Sequence, residues 1–153
     1  MKELNIRPAR LTDLDALLAL ETSSFTGDRL TRARLRHWIT APNGLLLVAC
    51  GDNINTPALA GYALVMTRRN SRRARLYSIA IAAQARGKGL GQRLIEHCFD
   101  PLRAQGQQSL YLEVAAGNTR AITLYKRLGF TQFGIAEGYY DDGQDALRMQ
   151  RPL

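Results

Sequence analysis

The octet Gln84-Ala85-Arg86-Gly87-Lys88-Gly89-Leu90-Gly91 has the residue types and spacing to bind an anion. Three glycines in five positions let a backbone approach a ligand closely. Leu90, Leu94, Ile95 and Cys98 then recur at helical spacing, so the loop opens a helix. The first turn of a helix offers unpaired N–H groups and the positive end of the dipole, which together suit a phosphate or pyrophosphate. Arg86 and Lys88 add two mobile positive charges. A P-loop would need Lys-Ser or Lys-Thr at its end, and Gln92 follows Gly91 here. A dinucleotide fingerprint would need G-x-G-x-x-G, and the third glycine falls one residue early.

The elements around this loop follow from apolar periodicity. Leu76-Tyr77-Ser78-Ile79-Ala80-Ile81 reads as the strand before it, and Pro101 should kink or end the helix after it near Asp100. Ser109-Leu110-Tyr111-Leu112-Glu113-Val114 alternates, which puts Glu113 on the face of Tyr111 and Ala115 and away from Leu110, Leu112 and Val114. A carboxylate there faces either solvent or a cleft. Asn118 caps the next helix, with Ala121, Leu124, Tyr125 and Leu128 as its inner stripe and Gly129 as its stop. Asn118 and Tyr125 are seven residues apart and so lie one above the other. Tyr125 reads equally as a core tyrosine.

Earlier in the chain, Ile6 to Arg10 is a short strand, Thr12 a cap for a first helix, and Thr31 to Thr40 a second helix. Leu45 to Cys50 and Ala58 to Met66 are antiparallel strands around a polar loop with Asn53, Asn55 and Pro57. Thr131 to Ile135 and Asp145 to Arg151 are the last two strands. Strands alternating with helices but also forming hairpins imply a mixed sheet.

Composition bounds the function. A chain of 153 residues, 46% hydrophobic and 22% charged, is expected to form one domain over residues 1–153. No apolar run approaches the roughly 20 residues of a membrane span, and no signal-peptide core opens the chain, so a cytoplasmic location is expected. Cys50 and Cys98 read as buried free thiols, and His37 and His97 are isolated, so no metal site is expected. The net charge of +8 is carried mostly by arginine, clustered at residues 29–36 and 68–75. Either these are solvated faces or they favour an acidic substrate, a nucleic acid or a phosphate-bearing cofactor.

The pattern Arg-x-x-Gly-x-Gly in Arg86-Gly87-Lys88-Gly89-Leu90-Gly91 resembles the acetyl-coenzyme A pyrophosphate loop of the GNAT N-acetyltransferase superfamily. Leu112-Glu113-Val114-Ala115-Ala116-Gly117-Asn118, the run from Ala121 to Phe130, and Tyr139-Tyr140 followed by Asp145-Ala146-Leu147-Arg148-Met149 are similar to bacterial ribosomal-protein alanine N-acetyltransferases. The resemblance implies an α/β (α+β) GNAT fold, a mixed six- to seven-stranded sheet flanked by about four helices. It implies acetyl-CoA as cofactor, held by Arg86, Gly87, Lys88, Gly89, Leu90 and Gly91, with Asn118 on the pantetheine amides. It further implies Glu113 as general base, directly or through water, Tyr125 as general acid, and backbone N–H groups near Ile79, Ala80 and Ile81 polarising the acyl carbonyl beside a β-bulge.

Where relatives often have Leu-Glu-Val-Arg-x-Ser-Asn, this chain has Ala115-Ala116-Gly117 before Asn118, so those arginine and serine contacts are missing. The expected activity is acetyl transfer to a primary amine, foremost a protein or peptide N-terminal α-amine. An α-amine with pKa near 8 needs less help from one carboxylate than a lysine near 10.4. Tyr139 and Tyr140 would flank a narrow entry for the acceptor, or simply cover the core. The alternatives are a small-molecule amine as acceptor, or a catalytically silent domain that binds coenzyme A or RNA.

Overall fold

The computed structural model describes residues 4–27, 29–51 and 58–153. Seven strands form one sheet in the order β1-β2-β3-β4-β5-β7-β6. They are β1 (Asn5–Pro8), β2 (Gly44–Cys50), β3 (Leu59–Met66), β4 (Arg73–Ile81), β5 (Ser109–Ala115), β6 (Thr131–Ala136) and β7 (Ala146–Pro152). The helices are α1 (Leu14–Ser24), α2 (Arg32–Thr40), α3 (Leu90–Ala104) and α4 (Thr119–Arg127). Every neighbouring strand pair is antiparallel except β4 and β5, which run parallel. The expected mixed sheet and four helices are both present.

The helices cover opposite faces. Tyr62 on β3 hydrogen-bonds Glu21 of α1, whereas a Cβ at its neighbour Gly61 would stand 3.1 Å from Leu94 of α3. Successive strand residues point to opposite sides, so α1 and α3 sandwich the central strands. Leu17, Leu35, Leu64, Leu94, Ile95, Leu102, Leu110 and Met149 are fully buried in the core between them. A buried polar chain also ties α1 to the sheet: Glu21 accepts from the Leu30 amide at 2.7 Å and from Tyr62, whose hydroxyl lies 2.8 Å from Ser78. Burial, then the hydrogen bond to Glu21, drives the Tyr62 pKa upward.

Several elements differ from expectation. Thr12 is not a cap: a 3₁₀ turn at Leu11–Asp13 precedes α1, and Asp13 accepts from the Arg10 amide at 2.7 Å and pairs with Arg7. Pro101 does not end α3, which continues to Ala104 because Leu94, Cys98 and Leu102, one turn apart, are all buried on one stripe. That burial outweighs the one backbone hydrogen bond proline removes. Strand β4 begins at Arg73, three residues before the apolar run, so Arg73 and Arg75 belong to the strand and only residues 68–72 turn. Asn70 takes the left-handed conformation there, φ 65°. Cys98 is buried, its thiol pushed up to about 12 by desolvation, while Cys50 is half-buried. Asn53, Asn55 and Pro57 lie outside the described residues.

Candidate active site

The glycine loop is built as an amide cradle. Gly87 and Gly89 have φ of +78° and +76°, a region costly to side-chain-bearing residues, and Gly89 is the N-cap of α3. A Cβ at either would meet nothing within 4 Å, so the glycines serve the backbone turn and the open space beside it. The first bond into α3 runs from the Arg93 amide to the Gly89 carbonyl, 3.2 Å. The amides from Gly87 to Gln92 donate to no other backbone carbonyl among the described residues. Six consecutive donors at a helix N-terminus, with Arg86 and Lys88 exposed beside them, fit a pyrophosphate. Arg86 is anchored by its Nε, which donates to the Ile81 carbonyl at 3.2 Å.

A gap in the sheet begins next to this cradle. Strands β4 and β5 pair only at Arg73 with Ser109, Ala74 with Leu110 and Arg75 with Tyr111, and part beyond that point. The register between β3 and β4 shifts between Leu64 and Val65, leaving Tyr77 as the bulged residue. The bulge therefore lies two residues before Ile79, slightly earlier than expected, and it bends β4 away from its neighbour. The Ala82 amide donates to Ala60 on β3 at 2.8 Å. Antiparallel alternation then turns the Ala80 amide toward β3 and leaves those of Ile79 and Ile81 facing the gap. Of the three residues expected to present amides to an acyl carbonyl, Ile79 and Ile81 turn theirs into the gap and Ala80 does not.

Glu113 stands on the other side of the sheet from α3. It shares the face of Tyr111, and Leu110, Leu112 and Val114 are buried on the opposite face, as alternation requires. This face is covered by α1 and α2 over β2, β3 and β4 but not over β5, β7 and β6. The Glu113 side chain is only 9% exposed, and its Oε1 lies 3.0 Å from Nη2 of Arg75. The same nitrogen donates to the Tyr139 hydroxyl at 3.2 Å. The neighbouring Glu113 carboxylate is the main reason the Tyr139 pKa is raised. Tyr140 meets Tyr139 edge-on at 5.0 Å, and burial raises its pKa too. Arg148 is the direct cross-strand neighbour of Glu113.

Tyr125 is buried, 7% exposed, with its ring edge-on to Phe130 at 5.7 Å. A helix stop holds it there. The Phe130 amide bonds the Tyr125 carbonyl at 2.9 Å, the Gly129 amide bonds Lys126 at 3.0 Å, and Gly129 has φ +92°. This is a Schellman motif, whose characteristic apolar contact is the Tyr125–Phe130 pair. Burial, with a lesser contribution from Tyr140, pushes the Tyr125 phenol up to about 12. Its hydroxyl makes no hydrogen bond to any described residue. Asn118 is exposed and caps α4, its Oδ1 accepting from the Ala121 amide at 3.2 Å; its side-chain nitrogen donates to no described residue.

Glu113, Arg75, Tyr139 and Tyr140 are thus linked in one chain of contacts, while Tyr125 packs on Phe130 and the Ile79 and Ile81 amides and the glycine cradle lie along the gap. Sequence reasoning missed Arg75 and Arg148. Both were legible as polar positions in alternating strands, Arg73-Ala74-Arg75-Leu76 and Leu147-Arg148-Met149, but Arg75 was absorbed into a compositional cluster. Residues 68–72 lie at the far end of β4, where Asn70, Ser71 and Arg72 line a depression of about 850 Å³ with Gln105 to Gln108. Arg73 is level with Ser109, four residues or roughly 13 Å from Glu113. That turn stands apart from the cluster. No group of three or more metal-ligating side chains occurs among the described residues. No helix among them is long and apolar enough to cross a membrane.

The fold and the sequence are both shared with known proteins. An alanine N-acetyltransferase of ribosomal protein bS18 from Escherichia coli K12 is 41% identical over 83 residues, which are 52% of this chain and 56% of that protein. The chain therefore aligns with just over half the length of that curated relative. An N-alpha-acetyltransferase of Sulfurisphaera tokodaii is 28% identical over 162 residues, covering 99% of this chain and 95% of that one. The crystal structure of the ribosomal-protein-S18-alanine N-acetyltransferase from Escherichia coli superposes with a TM-score of 0.84 at 29% identity, over 98% of this chain and 94% of that one. Residues 13–130 match the profile of the acetyltransferase (GNAT) family, so the chain belongs to that family.

Proposed function

We propose that this chain is a single-domain, cytoplasmic, acetyl-CoA-dependent N-acetyltransferase acting on the α-amine of a protein or peptide N-terminus. The observation that carries the reading is the gap between β4 and β5. It joins the amide cradle on the α3 side to Glu113 on the uncovered face. Acetyl-CoA would supply an activated acyl thioester. The amides from Gly87 to Gln92, with Arg86 and Lys88, hold its pyrophosphate, and the Asn118 amide nitrogen reaches its pantetheine arm. The Ile79 and Ile81 amides, which face the gap, would donate to the acyl oxygen there.

On the acceptor side Glu113 accepts the proton of the incoming ammonium, directly or through water, and Tyr139 and Tyr140 flank the approach. Tyr125 faces the leaving sulfur. Burial raises the Tyr125 phenol well above the ordinary thiol range, so full proton transfer from it to a thiolate is uphill. Tyr125 therefore acts first as a hydrogen-bond donor that lowers the charge on sulfur, and the proton taken from the amine completes the balance. The names of the Escherichia coli and Sulfurisphaera relatives support an N-terminal amine as acceptor.

The test is a peptide carrying one free α-amine and one internal lysine, incubated with acetyl-CoA and mapped by mass spectrometry. The expected product carries a single acetyl group on the α-amine with one thiol released per transfer. Acetylation confined to lysine or to added small amines would replace this acceptor with another.

A further inference from the structure

Beside Glu113 the uncovered sheet face carries more positive charge than it can balance. Arg73 and Arg75 come from β4 and Arg148 from β7, and Glu113 is the one carboxylate paired with any of them among the described residues. Aromatic rings hold these guanidinium groups in place. The Phe133 ring lies under both Arg73, at 5.4 Å, and Arg148, at 5.3 Å. Arg73 also lies 4.6 Å from the Tyr111 ring, and Arg75 5.4 Å from Tyr77. Arg148 lies over its cross-strand partner Gly134 on β6. A guanidinium near a ring face is bound through its flat side and keeps its in-plane N–H donors for another partner. The Nε atoms of Arg75 and Arg148 are both buried with no hydrogen-bond partner.

We propose that this arginine group, centred on Arg148 and Arg75, is a carboxylate-binding site that selects acceptors bearing an anion within one residue of the reacting amine. The proposal rests on the assignment of Glu113 as the base that receives the amine. Arg148 opposes Glu113 directly, so their Cβ atoms are about 5 Å apart. An amine at Glu113 thus brings its own α-carboxylate, or an acidic side chain at the first or second residue, to the guanidinium fork. A planar carboxylate matches that fork with two parallel hydrogen bonds. The acceptor class is then acidic-start peptides or free amino acids, the two sources of the same chemistry.

The experiment compares peptides beginning with Glu and with Gln, otherwise identical, and separately a free amino acid and its carboxamide. The wild-type enzyme should show at least about tenfold higher kcat/KM for the carboxylate member of a pair, shrinking as salt is raised. Arg148→Gln should bring the ratio near one, and the exposed Arg73→Gln, which leaves the sheet undisturbed, should reduce it. Preference in the peptide pair alone assigns the side-chain source, and in the amino-acid pair alone the α-carboxylate. Calorimetry of the acetylated Glu and Gln peptides, and of the acetylated amino acid and its carboxamide, with coenzyme A present gives the same comparison without turnover, so a failure of the transfer reading is seen separately. Equal affinity within both product pairs, or equal kcat/KM within both acceptor pairs, would overturn the proposal.

Discussion

Glu113 on β5 and Tyr125 on α4 are assigned different proton roles, and their chemistry separates by pH. Glu113→Gln keeps the side-chain shape and removes the proton acceptor. Its loss should be partly recovered as pH rises through about 8, where the α-amine becomes neutral without help. Tyr125→Phe keeps the ring packed on Phe130 and removes only the donor. Its kcat should fall about a hundredfold with acetyl-CoA affinity little changed, and alkaline pH should not restore it. Because burial pushes the Tyr125 phenol up to about 12, it stays protonated at lower pH and is lost only as pH rises through that value. No alkaline limb below about pH 11 should therefore disappear in Tyr125→Phe. Pre-steady-state and steady-state pH–rate profiles of both variants read these outcomes. Near-normal turnover in Tyr125→Phe would return that residue to the core.

At the scale of elements, the Schellman stop of α4 positions Tyr125 and can be loosened alone. Gly129→Ala forces a side chain into φ +92°, which should cost roughly 1–2 kcal/mol and lower the Tm. Because the Phe130 amide bonds the Tyr125 carbonyl, kcat should fall more than acetyl-CoA affinity. Unchanged kcat at a lowered Tm would detach the stop from the chemistry. This stop was legible because it is local: Gly129 follows an apolar stripe of period 3.6, and the residues that make the motif are neighbours in sequence. The same holds for the Asn118 cap and the alternation of β5. Pro101 misled because burial of Leu94, Cys98 and Leu102 against the sheet, a tertiary effect, outweighs the local cost of proline. Arg75 was hidden for a related reason. Its place beside Glu113 depends on which strand pairs with β5 and where that pairing stops, and no stretch of sequence around it carries that information.

Across the whole molecule, the site exists because the sheet is mixed. The single parallel pair, β4 and β5, is where the sheet parts, with the α3 cradle on one side and an uncovered face on the other. Two substrates can thus approach from opposite sides and meet without crossing the core. The central claim is that acetyl-CoA enters through the cradle, and Gly91→Glu tests it apart from folding. A Cβ at Gly91 would meet Leu124 at 3.5 Å, an ordinary contact, and Gly91 is not among the positive-φ glycines. Replacing glycine in a helix and adding a carboxylate to its first turn both stabilise the helix, by about 1 kcal/mol together. A carboxylate in this first turn would nevertheless repel a pyrophosphate held by the amides from Gly87 to Gln92. Calorimetric titration of acetyl-CoA, with Tm measured on the same samples, should give one site in the wild type and at least tenfold weaker binding in Gly91→Glu at an equal or higher Tm. Equal affinity in the two proteins would contradict the account.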